Sequence, residues 1–278
     1  MLIALTIVSF GTCAPEIAIS FQSVSKGDGQ MAFANVVGSC IVNVFLILGL
    51  ACFLRPIKVK HATIKKELPI LVLVTTVFSV LMLDRLFNPL TRNSFSRADG
   101  IILILLFLVF VVYLVQMLFH KPKEEEPQIL FHPLVSLLFL AVSIVVIIFS
   151  SDLIVTSAKN IAYSLNISEK IITMFAVVIG TSLPEMVMTV SSARKGEFDI
   201  AIGNIIGTII FNICIVLGLP TVIYGDVLLT GFGFVDILAV FLSSFLLFLF
   251  ARSERTLSKK EGIIMLLVFL AYYIYLLV

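Results

Sequence analysis

The stretch GTSLPEMVMTVSSARKGEFDIAIGNIIGTIIFNICIVLGL, residues 180–219, decides how this chain is built. Residues 11–50, GTCAPEIAISFQSVSKGDGQMAFANVVGSCIVNVFLILGL, repeat it without a gap at a constant offset of 169 (180 − 11). The matches are not apolar filler. They pair Gly11 with Gly180, Thr12 with Thr181, Pro15 with Pro184, Glu16 with Glu185, Lys26 with Lys195, Gly27 with Gly196, Asn35 with Asn204, Gly38 with Gly207 and Asn43 with Asn212.

Both copies lie in a chain that is 60% hydrophobic and only 13% charged over 278 residues, a composition no water-soluble domain tolerates. A helix needs roughly 20 apolar residues to cross a bilayer. Nine such stretches are expected, near 1–24, 31–54, 67–87, 99–120, 133–158, 166–193, 199–222, 227–250 and 260–278. The short polar connections between them leave no room for a soluble domain or a phosphate-binding loop, which excludes an ATP-driven pump within this chain. Cys13, Cys40, Cys52 and Cys214 fall in or beside apolar helices and form no CxxC pair. The Met1 to Phe10 run lacks a basic leader and a small-residue cleavage site, and its apolar character continues into GTCAPE, so it reads as part of a span.

Counting settles the relation between the copies. Glu16 falls on the first expected span and Glu185 on the sixth, and five crossings reverse the direction. The expected fold is therefore an all-α polytopic membrane protein of two inverted repeats, with a shared site near the midplane where Glu16 and Glu185 face each other. The first repeat is expected over 1–120, a cytoplasmic linker over 121–132, and the second repeat over 133–278. Thirteen of the 19 basic residues lie in the even-numbered loops: Arg55, Lys58, Lys60, Lys65, Lys66, Lys121, Lys123, Arg194, Lys195, Arg252, Arg255, Lys259 and Lys260. The positive-inside rule puts that side in the cytoplasm and the C-terminus outside a cell membrane.

Each copy sets a glycine, a hydroxyl, a proline and a glutamate in mid-span. Proline removes one helical hydrogen bond and frees a carbonyl upstream. Thr12 and Thr181 each stand four residues before their glutamate and share its face, with Ser182 three before Glu185. On the next helix Asn35, Ser39 and Asn43 make a polar stripe at steps of four, matched by Asn204, Thr208 and Asn212. Gly38, Gly207 and Gly203 on these helices permit close approach of a neighbour. The result is an all-oxygen, doubly negative donor set, which suits hard cations such as calcium and sodium rather than transition metals. His61, His120 and His132 lie in loops or at helix ends. A lone intramembrane Glu could be a neutral, hydrogen-bonded core residue, and a lone Pro a mere kink; duplication in register favours the shared site. Asp84, Asp152 and Asp236 read as interfacial, Cys40, Cys52 and Cys214 as packing residues, and the run from Lys121 to Glu126 as a solvated linker.

GTSLPE with GNIIGTIIFN, and GTCAPE with NVVGSCIVN, resemble the alpha repeats of the sodium/calcium exchanger family, within the calcium:cation antiporters. The resemblance implies ten helices in two inverted halves, and ion binding by Thr12, Glu16, Ser39 and Asn43 in the first copy and Thr181, Ser182, Glu185, Thr208 and Asn212 in the second. Three departures stand out. Cys13 replaces the family's usual serine, Asn212 stands where some members carry aspartate, and the mirror image of the 133–158 helix would begin near residue −36 (133 − 169). In the family these paired helices slide against the core, so nine helices are expected here and Met1 is expected to be an internal methionine of a longer gene product. Mass spectrometry of the native N-terminus tests that.

The expected function is secondary antiport, exchanging calcium for sodium through exclusive occupancy of the two glutamates. A proton/calcium or other cation antiporter is the alternative, since a desolvated carboxylate can carry a proton. A cation channel fits poorly, because open filters come from rings of identical subunits. An intramembrane enzyme lacks a nucleophile beside a base. No cofactor beyond the transported cations and no nucleic-acid partner is expected; the partners are inorganic cations and the lipid bilayer.

Overall fold

The computed structural model describes residues 5, 6, 9–83, 94–119, 163–228 and 231–277, with scattered positions between 135 and 161. Asp84, Asp152, His120, His132, the 121–132 linker and most of the expected 133–158 helix lie outside the described residues.

Among the described residues, besides the single-turn helix His61–Lys65, ten helices carry the fold: α1 (Ser9–Thr12), α2 (Ala14–Ser25), α3 (Gly29–Leu54), α4 (Glu67–Leu81), α5 (Arg97–Phe119), α6 (Lys170–Thr181), α7 (Leu183–Lys195), α8 (Phe198–Tyr224), α9 (Phe234–Glu254) and α10 (Lys259–Leu277). Among the described residues five helices, α3, α5, α8, α9 and α10, are long and apolar enough to cross a membrane, and the bent pair α6–α7 makes a sixth. The observed bounds shift the expected spans at one place in particular. The expected 227–250 span starts late, because Val227–Leu228 form a strand and the glycine-rich Gly231 to Gly233 segment precedes α9.

Burial separates the helices into two layers. The most apolar windows of α3 and α8 are 83% and 89% buried, whereas those of α5 and α10 are 28% and 33% buried. Leu105, Leu108, Val109 and Val112 on α5, and Ile264, Leu267 and Ile274 on α10, are exposed, as an apolar face in contact with lipid requires. Glycines set the close crossings between the layers. A Cβ on Gly49 in α3 would meet Gly262 O of α10 at 3.2 Å, and one on Gly100 in α5 would meet Gly218 O of α8 at 2.8 Å.

Capping fixes where the outer helices begin. Ser96 N and Oγ donate to Asp99 Oδ2 at 2.7 Å while Asp99 N donates back to Ser96 Oγ at 3.3 Å, a capping box at the start of α5. Ser258 and Glu261 repeat it at α10, with 2.6 Å and 3.4 Å for the two backbone donors. Two antiparallel two-residue ladders tie the helix ends. One joins β1 (Ile57–Lys58) to β4 (Thr256–Leu257), pairing Ile57 with Leu257; the other joins β2 (Ser94–Phe95) to β3 (Val227–Leu228), pairing Phe95 with Val227.

Contacts recur at the sequence interval of the repeat. Gly38 packs against Met174 and Val178, and Gly207 packs against Leu5 and Ser9; adding 169 to 38, 5 and 9 gives 207, 174 and 178. Asn35 Nδ2 donates to Ser20 Oγ at 3.2 Å, and Asn204 Nδ2 donates to Thr189 Oγ1 at 3.2 Å, again 169 positions on in both members.

Candidate functional site

The chain breaks twice at the same motif position. α1 ends at Thr12, Cys13 sits at φ −76° and ψ 1°, and α2 starts at Ala14 with Pro15 in its first turn. α6 ends at Thr181, Ser182 sits at φ −82° and ψ 5°, and α7 starts at Leu183 with Pro184 in its first turn; the axis bends 48° there. Both break residues occupy the sparsely populated bridge region of backbone space. With no N–H on either proline, the helical donor for the carbonyls of Gly11 and Gly180 is missing. Nothing lies within 4 Å of where a Cβ would stand on either glycine, so both turns have open space beside them.

Each break puts opposite helix poles together. Thr12 and Thr181 end one half-helix, their hydroxyls bonding back to Ser9 O at 3.3 Å and Val178 O at 3.2 Å. Glu16 and Glu185 sit in the first turn of the next half-helix, where the backbone dipole favours negative charge. Both glutamates are fully buried.

The two motifs meet. Glu16 lies within electrostatic reach of Glu185 and beside Thr181, and Glu185 lies beside Thr12 and Cys13. Each carboxylate therefore neighbours the hydroxyl of the other copy's motif. Cys13 is buried beside Thr208, Thr12 and both glutamates. The helix α2 packs against the Asn212–Leu217 stretch of α8, and α7 against the Val42–Leu48 stretch of α3. Both stretches are π-helical, a widened turn that recurs at functional sites, and they carry Asn43 and Asn212 in their first two positions.

Of the nine residues the resemblance marked, seven keep buried oxygen or nitrogen atoms with no hydrogen bond of normal geometry. These are both carboxylate oxygens of Glu16 and of Glu185, both amide atoms of Asn43 and Asn212, and the hydroxyls of Ser39, Ser182 and Thr208. Thr12 and Thr181 donate to their own helix backbone and lie beside Glu185 and Glu16. Buried polar atoms are almost always satisfied, so a cluster of this size demands a partner. The donors are oxygens of carboxylate, amide and hydroxyl, with one thiol at the edge. They fit a hard, dehydrated cation as a transported substrate.

The stripe residues Asn35 and Asn204 brace the site from behind. Asn35 Nδ2 donates to Glu16 O at 3.3 Å, and Ser9 Oγ donates to Asn204 O at 3.1 Å. Their partners Ser20 and Thr189 escaped the sequence reading, yet each stands four residues after its glutamate and 169 from the other, the same signal that marked Thr12 and Thr181.

Asp236, in the first turn of α9, is turned into the protein: it is 1% exposed and its Oδ2 pairs with Lys170 Nζ at 2.7 Å. Gly233 N donates to the same oxygen at 2.8 Å and Tyr272 Oη to Oδ1 at 2.8 Å. Lys170 also donates to Gly231 O at 2.9 Å and sits over the Phe232 ring. Beyond the pair itself, two further donors to the carboxylate and one acceptor for the ammonium offset the cost of burying both groups.

Comparison with known proteins agrees with this geometry. The model of the sodium/calcium exchanger protein family matches residues 1–116 and 135–278. The putative antiporter CaxA of Alkalimonas amylolytica is 35% identical over 98% of this chain and 86% of its own length. The inner membrane protein YrbG of Escherichia coli is 34% identical over 80% of this chain and 69% of its own. A solved structure of the sodium-calcium exchanger NCX_Mj, soaked with sodium and strontium, superposes with a TM-score of 0.73 at 26% identity over 98% of this chain and 85% of that one. The chain is a multi-pass membrane protein and belongs to the sodium/calcium exchanger family of antiporters.

Proposed function

We propose that the chain exchanges calcium for sodium across the cell membrane, by alternating access at one midplane site built from two inverted halves. The observation that carries this reading is the cluster of buried, unpartnered donors on seven residues, with four of its oxygens on two carboxylates drawn from both copies. Thr12, Glu16, Ser39, Asn43, Thr181, Ser182, Glu185, Thr208 and Asn212 form the proposed cation shell. Two carboxylates balance the charge of one calcium or of two sodium ions, and a shared shell makes occupancy exclusive, which couples the two fluxes.

Inversion is supported by the ladders. The end of α3 reaches β1, and α4 crosses back before β2 precedes α5, while the end of α8 leads into β3, which pairs with β2. Helices α3 and α8 thus finish at opposite ends of the molecule. The basic residues Arg55, Lys58, Lys60, Lys65, Arg252 and Arg255 gather at the β1–β4 end, which we take as cytoplasmic, leaving the C-terminus outside and nine spans in all.

The test is uptake of radioactive calcium by proteoliposomes. Sodium-loaded vesicles diluted into sodium-free medium are expected to accumulate calcium without a pH gradient. Uptake that needs a pH gradient and ignores sodium would replace sodium by protons as the coupling ion.

A further inference from the structure

A cavity of about 520 Å³ opens between the His61–Lys65 turn, the start of α4 and the C-terminal end of α9. It is lined by the basic residues His61, Lys65, Arg252 and Arg255 together with Ile64, Pro69 and Phe248. Among the described residues no carboxylate lines it. The acidic residues nearest in sequence are engaged elsewhere: Glu67 accepts from Tyr113 Oη and Glu261 accepts from Ser258; Asp199, brought near the His61–Lys65 segment by the fold, pairs with Lys60. Glu254 is exposed and forms no part of the wall.

A second observation singles out Arg255. It terminates α9 in the left-handed region at φ 54°, the position at which helices place glycine because every other residue is strained there. Its carbonyl accepts from Val59 N at 2.8 Å, a contact that glycine would make as well. The backbone therefore has no need of an arginine. A side chain held at a strained position points to use of the side chain.

We propose that this cavity binds the phosphate headgroup of an anionic phospholipid, with Arg252, Arg255 and Lys65 around the phosphate. Arginine pairs bidentately with phosphate oxygens, and a basic pocket between helices at a membrane face is the form such lipid sites take. The apolar wall decides between a lipid and free phosphate. Phe248 stands one turn before Arg252 along α9, toward the hydrocarbon, and Leu249 beside it is exposed, so an acyl chain leaving the headgroup has an apolar track to follow. The bound lipid would clamp α9 to the segment that leads into α4.

The experiment uses the full chain purified into phosphatidylcholine nanodiscs and titrated with phosphatidylglycerol, with bound lipid counted by native mass spectrometry. Phosphatidylglycerol is expected to be retained over phosphatidylcholine, and Arg252→Gln and Arg255→Gly are each expected to weaken retention about fivefold. Arg255→Gly keeps the left-handed turn at no strain, so its melting temperature in pure phosphatidylcholine stays at or above that of the parent. Equal retention by Arg255→Gly and the parent overturns the proposal. Inorganic phosphate that displaces the lipid at millimolar concentration overturns the lipid assignment in favour of a soluble phosphate.

Discussion

Thr75 Oγ1 lies 2.5 Å from Ser244 Oγ, and the two residues stand 169 positions apart, the interval that separates Glu16 from Glu185. Equivalent residues of two copies touch each other only where a two-fold axis passes between them. The hydroxyl pair joins α4 to α9 and marks the line along which the proposed inverted halves turn. Removing either hydroxyl is expected to cost ~0.6 kcal/mol, the typical worth of a hydrogen bond between membrane helices. Thr75→Ala, Ser244→Ala and the double variant, unfolded in detergent, check this: the double variant should lose no more than the worse single one.

The carboxylates give the sharpest functional expectation. Glu16 and Glu185 are buried, near one another and without hydrogen-bond partners of normal geometry, an arrangement that costs stability and is retained for its use. Glu185→Gln is expected to abolish calcium-dependent uptake while melting at or above the parent's temperature in cation-free detergent. Loss of uptake with a lower melting temperature would mean that the residue holds the fold, and sustained uptake would sink the shared site.

Cys13 tests the ligand chemistry from the other direction. Its thiol sits beside Thr208, Thr12 and both glutamates, at the backbone break where the second copy has Ser182. Cys13→Ser puts a hard oxygen at that corner. Calcium exchange should persist, and the sodium concentration needed for half-maximal exchange should fall; a rise would show that the thiol is not a weak stand-in for a hydroxyl.

A buried ion pair outside the proposed cation shell should matter for stability. Lys170 at the start of α6 holds Asp236 of α9, which Tyr272 of α10 also holds. Lys170→Met strands a buried aspartate and is expected to cost about 3 kcal/mol, whereas Lys170→Met with Asp236→Leu should recover much of that loss. Denaturant titration of the three proteins provides the check.

The candidate site was legible because its chemistry is written twice. GTCAPE and GTSLPE carry their own break, hydroxyl and carboxylate, and the stripe of Asn35, Ser39 and Asn43 follows from helical spacing alone. Lys170 and Asp236 were not legible, since each sits at a helix end where sequence places charges in water, and only the Gly231 to Gly233 segment folding over them puts them inside. The π-helical turns at Asn43 and Asn212 left no mark either: an inserted residue in a helical ladder does not disturb an unbroken apolar run. Arg255 was read as one more loop charge, and its value lies in a backbone angle that composition cannot report.

The two small-residue crossings look equivalent in sequence and differ in what they face. A Cβ on Gly38 would meet Met174 Sδ and Val178 Cγ2, both at 2.7 Å; these are side-chain atoms, of which the methionine end swings aside and the stiffer valine yields by a small shift. A Cβ on Gly207 would meet the Ser9 hydroxyl and the backbone carbonyl of Leu5 at 2.9 Å, and a carbonyl moves only with its chain. Gly38→Ala is therefore expected to cost about 1 kcal/mol, and Gly207→Ala about 3 kcal/mol, the two ends of the range for overpacking a tight contact. The second substitution should also reach the site. Ser9 donates to Asn204 O and belongs to α1, the half-helix whose last residue is Thr12, so displacing it shifts the hydroxyl beside Glu185. Calcium affinity measured by calorimetry should drop for Gly207→Ala and hold for Gly38→Ala. Equal affinities in the two variants would mean that α1 yields as freely as a side chain, and that the first half grips the cation no more rigidly than its contact with Gly207 requires.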